Sequence, residues 1–250
     1  MKALITTGTA TLALLLGGCG SEGGEAGNSA TAAETGPIEQ IPAPNGGDWT
    51  QVVSETPEGG IIMGNPDAPV KVVEYASMTC PHCATFSREA SDELKNELVK
   101  SGQVSFEFRN FVMNGIDMAA SLLTRCQGPG PYFQLTEQVF AAQDQWMANF
   151  QDISEATAQQ LQALPPEQQV AALAEAGDLY SFFQMRGLPE ARAEACLSDQ
   201  AAIEKIVGIG QAGTQQHGIS GTPSFLINGE LVEGVSTWDA LEPRIRGGIG

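Results

Sequence analysis

The motif Cys80-Pro81-His82-Cys83 constrains the fold of this chain most, because it lies where an apolar segment gives way to a helical one. Residues 70–76 before it are rich in β-branched side chains, which is typical of a buried strand. Proline is favourable in the first turn of a helix, where its missing N–H needs no partner. Apolar side chains then recur at helical spacing and predict a helix from about residue 81 to residue 100: Phe86, Leu94, Leu98 and Val99.

This placement puts Cys80 at the helix N-terminus and Cys83 one turn inside. Unpaired backbone N–H groups and the positive end of the helix dipole stabilise a thiolate at Cys80 and lower its pKa. We expect His82 to be a further positive partner for that thiolate. A thiolate of low pKa is a good leaving group, so other thiols should attack a Cys80–Cys83 disulfide readily. The motif therefore predicts a disulfide donor.

The N-terminus predicts export. Lys2 precedes an apolar run over residues 3–16 that is too short to span a membrane comfortably and ends in small residues, so residues 1–18 are predicted to be a signal peptide. Leu16-Gly17-Gly18-Cys19 resembles the lipobox of bacterial lipoproteins, which implies cleavage before Cys19 and lipidation of its thiol. The alternative is an ordinary signal peptide followed by an unmodified cysteine. Either interpretation predicts an exported protein.

Residues 19–60 are rich in Gly, Ala, Glu, Pro and Thr, with no basic residue and one aromatic residue, Trp49. Such a composition cannot bury enough apolar surface to order itself, so we expect a disordered acidic tether. The net charge of the chain, −18, argues against partners such as nucleic acid and against electrostatic binding to anionic lipid.

The five cysteines fit an oxidising compartment. If Cys19 is lipidated and Cys80 pairs with Cys83, then Cys126 and Cys196 remain and can pair with each other. Two separate buried thiols are the alternative. A Cys-x-x-Cys motif is also half of a zinc site, but the sequence holds no second close pair of cysteines, so we predict no metal and no cofactor.

The rest of the chain predicts an α/β fold. Residues 103–109 alternate as a strand, which completes a strand, helix, strand unit with parallel strands. Strand character returns at residues 221–227, where Pro223 must start the strand, and a hairpin turn at Asn228-Gly229 leads to residues 230–232 and a closing helix. Helices are predicted between these parts at residues 116–126, 131–147, 154–163, 166–175, 178–185, 189–198 and 199–216.

This order of elements, with Cys-Pro-His-Cys and Gly-Thr-Pro-Ser-Phe at residues 221–225, resembles the DsbA branch of the thioredoxin superfamily over about residues 60–248. The resemblance implies a thioredoxin fold with a large all-helical insertion, residues 113–216. The insertion would separate a βαβ half, residues 61–112, from a C-terminal ββα half, residues 217–250.

The resemblance also implies roles for single residues. Cys80 would be the exposed nucleophile and Cys83 its buried partner, and Pro81-His82 is the characteristic dipeptide. Thr222-Pro223 matches the cis-proline loop, which lies beside the cysteines and pairs with substrate backbone. Glu74 matches a buried acid that exchanges protons with Cys83, although an acid in a strand can equally face solvent. The pair Cys126 and Cys196 resembles the second disulfide of some α-proteobacterial members.

The function implied is a thiol:disulfide oxidase that forms a mixed disulfide at Cys80. Its partners would be reduced or unfolded exported polypeptides and a quinone-linked membrane thiol oxidase that restores the disulfide. It would be a monomer in the periplasm of a Gram-negative bacterium, held at the membrane by a lipid anchor.

Two alternatives stay open. The first is an isomerase or reductase on the same fold. Thr222 supports it, because the best-known DsbA enzymes have valine at this position and many disulfide isomerases have threonine. The second is a copper-chaperone lipoprotein, although copper carriers of this fold usually space their cysteines three apart with a dedicated histidine.

Overall fold

A single six-stranded sheet forms the frame of the molecule. The computed structural model describes residues 38–249, apart from the side chains of residues 166 and 167. The strands follow the order β1-β2-β4-β3-β5-β6, and only the β3–β4 pair is parallel. The strands are β1 (Val53–Glu55), β2 (Ile61–Gly64), β3 (Val70–Ala76), β4 (Val104–Asn110), β5 (Ser224–Ile227) and β6 (Glu230–Leu231).

The helices fall into three groups. Helix α1 follows β3 and continues as a π-helical segment, Leu94–Val99; a block of eight helices lies between β4 and β5; and α10 closes the chain. Their bounds are α1 (Pro81–Glu93), α2 (Gly115–Arg125), α3 (Tyr132–Ala141), α4 (Gln143–Gln151), α5 (Glu155–Ala163), α6 (Pro166–Ala176), α7 (Leu179–Gln184), α8 (Glu190–Leu197), α9 (Gln200–His217) and α10 (Trp238–Arg246).

This topology confirms the predicted fold class. Strands β3 and β4 flank α1 as a parallel βαβ unit, with Val70 opposite Val104 and Ala76 opposite Asn110. Strand β5 pairs antiparallel with the other side of β3 and leads through β6 into α10. Strand β3 lies between β4 and β5, so neighbouring strands support both sides of the turn at its carboxyl end. This turn carries the cysteines.

Both faces of β3 are buried. Val70, Val72 and Ala76 belong to the main core with α1, α2 and α3, whereas Val73 and Tyr75 belong to a second cluster that includes Ile209 of α9. Successive side chains of a strand point to opposite faces, so this division follows from the pleat of β3.

The predicted disordered tether needs correction over residues 38–60. Here the chain forms two short 3₁₀ turns and strand β1. The indole of Trp49 is buried and its Nε1 donates to the carbonyl of Ile41 at 2.7 Å, while the Ile41 N–H donates to the carbonyl of Ser101 at 2.7 Å. One buried tryptophan and a paired strand anchor a segment whose composition alone indicates disorder. The predicted signal peptide, Cys19 and the tether as far as residue 37 lie outside the described residues.

The helical insertion differs from the prediction at one point. The helix predicted over residues 131–147 is two helices, because Ala142 departs from helical geometry, with φ −104° and ψ 13°, between α3 and α4. Among the described residues, no helix is long and apolar enough to cross a membrane.

Candidate active site

The two cysteines of the motif lie where β3 passes into α1. Cys80 is the N-cap residue of α1, with extended backbone geometry, and Pro81 occupies its first turn. The side chains differ in accessibility, since Cys80 is 8% exposed and Cys83 is 0% exposed, while Pro81 and His82 are exposed. Cys80 is thus mostly buried, unlike the exposed nucleophile that the resemblance implies. It is nevertheless the cysteine of the pair that keeps some exposure, so an incoming thiol would meet it rather than Cys83.

The surroundings of Cys80 favour its thiolate. Hydrogen bonding from the Cys83 side chain lowers the pKa of Cys80 to about 5, helped by the Thr222 side chain and by the backbone N–H groups of Cys83 and His82, against the opposing effect of burial. His82 thus acts on the sulfur through its backbone. Its exposed imidazole makes no hydrogen bond or ion pair within residues 38–249.

Cys83 has the opposite environment. Burial raises the pKa of Cys83 far above its ordinary value, and hydrogen bonding with Cys80 and the negative charges of Glu74 and Cys80 raise it further. At neutral pH the reduced pair therefore holds a thiolate at Cys80 and a protonated thiol at Cys83.

The Thr222–Pro223 peptide bond is cis and lies beside Cys80. Strand β5 begins at the next residue, Ser224, and pairs with β3. This pairing places the loop before β5 beside the redox turn. The Thr222 carbonyl oxygen is 3.3 Å from Cys80 Sγ, a hydrogen-bond distance for the thiol. The structure thus brings together Cys80, Cys83, Thr222 and Pro223 from two distant parts of the sequence.

Glu74 points into the core. It shares the face of β3 with Val72 and Ala76, is 3% exposed, and its Oε1 has no hydrogen-bond partner among the described residues. Burial raises the pKa of Glu74 to about 8, with a smaller contribution from the charge of Cys80. The carboxyl is therefore protonated at neutral pH, and the alternative that it faces solvent is wrong.

A cavity of about 30 Å³ adjoins Glu74 beneath α1 and α3. Its walls are mainly aromatic and apolar, and they include Thr136, whose buried Oγ1 also lacks a partner in the described part of the chain. A volume of this size is enough for a water molecule beside two polar groups.

Two residues of the helical insertion that the sequence analysis missed also reach the redox turn. Asp117 of α2 and Gln143 of α4 are buried, and both hydrogen-bond to the backbone of residues 78–80. The sequence holds one partial signal, since Asn114 caps α2 and accepts a hydrogen bond from the Asp117 N–H. Nothing in the sequence marks Gln143.

Cys126 and Cys196 form a disulfide with a sequence separation of 70. Cys126 follows the last residue of α2 and Cys196 lies in α8, so the bond joins two helices of the insertion. Asp117 lies at the other end of α2, about 13 Å from Cys126 along the helix axis at 1.5 Å per residue. The disulfide is thus remote from the part of α2 that contacts the redox turn.

The thiolate of Cys80 should be measurable directly. We expect the ultraviolet absorbance of a thiolate to appear with a midpoint near pH 5 as the reduced protein is titrated upward, because the pKa of Cys80 is lowered to about 5. A Cys80→Ser variant should lack this step. A midpoint near the ordinary value for cysteine, 9.0, would contradict the environment described here.

The same shift predicts how stability depends on pH. Between about pH 5 and 9 an unfolded chain keeps the Cys80 proton that the native reduced protein has lost, so rising pH stabilises the reduced form relative to the oxidised form across this window. The gain disappears as the pH falls through 5. The oxidised form has no such thiol and is the reference, so the quantity to measure is the difference between the unfolding free energies of the two forms.

Comparisons with known proteins identify the family of this chain. A family model described as Thioredoxin matches residues 56–246. The putative protein-disulfide oxidoreductase of Rickettsia bellii is 27% identical over 189 residues, which cover 74% of this chain and 63% of the relative. The chain thus spans about three fifths of the length of the curated relatives it matches.

Solved structures are also similar. The protein-disulfide isomerase of Novosphingobium aromaticivorans has a TM-score of 0.72 and 34% identity, covering 76% of this chain and 96% of that one. The α-DsbA1 of Wolbachia pipientis has a TM-score of 0.60 at 23% identity, covering 80% and 94%, and so supports the fold. With a family model over most of its length and a similar solved structure at 34% identity, the chain belongs to the thioredoxin superfamily and is similar to its protein-disulfide oxidoreductases.

Proposed function

We propose that this protein is a thiol:disulfide oxidase that donates the Cys80–Cys83 disulfide to exported polypeptides. The observation that carries the proposal is the contrast between the two cysteines. Cys80 is reachable and has a pKa lowered to about 5, whereas Cys83 is fully buried and has a raised pKa. When a thiolate of low pKa stabilises the dithiol form, the corresponding disulfide oxidises other thiols readily.

In the first step a thiolate of the substrate attacks Cys80 Sγ. A bond forms between the substrate sulfur and Cys80, the Cys80–Cys83 bond breaks, and Cys83 leaves with the electron pair. Cys83 then takes up a proton, as its raised pKa requires. Glu74 is the proposed source of that proton, because its carboxyl is buried near Cys83 and protonated at neutral pH.

In the second step another thiolate of the substrate attacks its own sulfur in the mixed disulfide. The substrate disulfide forms and Cys80 leaves as a thiolate, a good leaving group because of its low pKa. The substrate has lost two electrons and two protons. The electrons reduce the enzyme disulfide, and the two substrate protons pass to solvent. Cys83 keeps the proton donated by Glu74, and Glu74 regains one proton from solvent, so one proton is released in net terms.

The substrate would lie along the cis-proline loop. Thr222 and Pro223 border Cys80, and the side chain of Met113, 60% exposed, has its Sδ 3.8 Å from the Thr222 hydroxyl. Backbone groups of the loop and an apolar thioether beside it suit an extended segment of unspecified sequence.

The cellular setting is part of the proposal. A quinone-linked membrane thiol oxidase would restore the Cys80–Cys83 disulfide, and a lipid on Cys19 would hold a monomeric protein at a membrane facing the periplasm.

A disulfide isomerase is the second candidate. It is favoured by Thr222 before the cis proline, and the similar Novosphingobium protein is named a protein-disulfide isomerase. An isomerase would work from the dithiol form, with the Cys80 thiolate attacking incorrect disulfides of its substrate.

The reduction potential of Cys80–Cys83 separates the two candidates. From the equilibrium with glutathione we expect a reduction potential closer to that of the oxidant DsbA, about −120 mV, than to that of thioredoxin, about −270 mV. The oxidised protein should also oxidise reduced, unfolded ribonuclease in the absence of glutathione.

The control is the variant with both Cys80→Ser and Cys83→Ser, which keeps the second disulfide and isolates its contribution. A potential toward −270 mV, together with activity only on ribonuclease that carries incorrect disulfides, would favour the isomerase instead.

A further inference from the structure

The loop that leads into the redox turn is held by side chains of the helical insertion. The N–H of Met78 donates to Asp117 Oδ1 at 2.8 Å. Gln143 Nε2 donates to the carbonyl of Met78 at 2.8 Å and to the carbonyl of Cys80 at 3.0 Å. Asp117, Gln143 and Met78 are all buried, so these bonds are shielded from water.

Asp117 is itself fixed by its neighbours. Its Oδ2 accepts from the Met113 N–H at 2.9 Å, and its Oδ1 accepts from the Ser121 hydroxyl at 3.4 Å. The carboxylate thus joins the loop before α1 to the loop before α2. The Met78 N–H is therefore bonded to a carboxylate that has further hydrogen bonds of its own.

Gln143 holds the opposite side of the same residue. It is the first residue of α4, directly after the break at Ala142, and its amide group has two N–H donors, one for each carbonyl. The carbonyl of Cys80 also accepts from the Ala84 N–H at 3.2 Å in the first turn of α1, whereas Gln143 is the one described partner of the Met78 carbonyl. The side chain of Gln143 therefore fixes the backbone on both sides of Thr79.

We propose that Gln143 is a positioning residue that stabilises the dithiol form of Cys80–Cys83 relative to the disulfide. The inference rests on the proposed function of this pair. Cys80 is the N-cap residue of α1, so the positive N-terminal end of that helix favours a negative sulfur there, and the backbone of residues 78–80 sets where the helix begins. In the disulfide the sulfur carries no charge, so the same helix end stabilises it little.

The expected effect has a definite sign. Without the Gln143 amide the Met78 carbonyl loses its described partner, and the peptide units before α1 can rotate away from their present positions. The thiolate then loses stabilisation, the disulfide is favoured, and the reduction potential becomes more negative. A purely structural role would instead destabilise the reduced and oxidised proteins equally.

The test compares Gln143→Met with the parent and with Gln145→Met. Methionine keeps the length of the side chain and removes the donors, and the control makes the same chemical change at an exposed position of α4. For Gln143→Met we expect the thiolate midpoint to rise by about one pH unit. The equilibrium with glutathione should shift about tenfold toward the protein disulfide, which is about 30 mV.

Thermal unfolding of both redox forms completes the test. The reduced form of Gln143→Met should lose more stability than the oxidised form, and Gln145→Met should match the parent in every measurement. If Gln143→Met does not fold, Gln143→Asn takes its place, because it keeps the amide but is too short to reach both carbonyls, and its shift should have the same sign.

An unchanged midpoint and potential would overturn the inference, even with a lower unfolding temperature. The parent protein tests the proposed function separately. A parent whose Cys80–Cys83 pair does not exchange with glutathione would remove the proposed function, whatever the variants do.

Discussion

Glutathione disulfide should add one glutathione to the reduced Cys83→Ser variant and none to the reduced Cys80→Ser variant. In Cys83→Ser the reachable Cys80 thiolate attacks the glutathione disulfide, and no partner thiol remains to resolve the mixed disulfide. In Cys80→Ser the remaining thiol of the redox pair, Cys83, is 0% exposed and its pKa is raised, so it is protonated and out of reach. Mass spectrometry of the intact proteins measures the difference.

Neither variant can form the Cys80–Cys83 disulfide, so neither should catalyse the oxidation of reduced ribonuclease. The rate of oxidation with either variant should equal the uncatalysed rate. The bond between Cys126 and Cys196 is present in both variants and is the internal control. Glutathione found on Cys83 would contradict the assignment of Cys80 as the residue that meets the substrate.

Removing the second disulfide by Cys126→Ala with Cys196→Ala should lower the free energy of unfolding by about 4 kcal/mol. The estimate follows from the sequence separation of 70 and the entropy that the closed loop removes from the unfolded chain. For a domain of this size the loss corresponds to a fall of about 8–16 °C in Tm. Denaturant unfolding of both proteins with Cys80–Cys83 oxidised measures it.

The variant should keep the reduction potential of Cys80–Cys83 at temperatures where it is folded, because the disulfide lies at the end of α2 away from Asp117. A loss of less than about 1 kcal/mol would mean that the unfolded chain is already restricted without the bond. A large change in potential would mean instead that the position of α2 depends on the disulfide.

The sequence predicted the redox turn well because its parts are adjacent along the chain. Strand β3, the start of α1 and the two cysteines depend on local patterns, and the helices of the insertion other than α3 and α4 lie within one or two residues of their predicted bounds. Strands β1 and β2 were not predicted, since three or four residues are too few to display a period of two.

The orientation of Glu74 was ambiguous for a physical reason. Helix α9 covers the face of β3 that carries Val73 and Tyr75, so apolar residues occupy both faces and alternation does not distinguish inside from outside. The sequence does not predict the contacts of Asp117 and Gln143 with the redox turn, because their partners there are backbone groups. The sequence around a backbone donor or acceptor does not show which side chain the fold brings to it.

The break between α3 and α4 has a related cause. No proline or glycine marks Ala142, and the residues around it predict a continuous helix. After the break, Gln143 bonds to the redox loop and Trp146 is buried with its Nε1 donating to the carbonyl of Val139. Tertiary contacts thus determine the end of α3 more strongly than local preference does.

The ends of the sheet have a consequence for the proposed action on unfolded chains. Its outermost strands are β1, with three residues, and β6, with two, so each edge offers few free backbone groups to another strand. Unfolded polypeptides adhere to long open edges by extending the sheet, which leads to aggregation. Under the proposed function, a substrate would therefore find few free backbone groups at the sheet edges within residues 38–249, and its release would be governed by sulfur exchange rather than by the slow separation of strands paired at those edges.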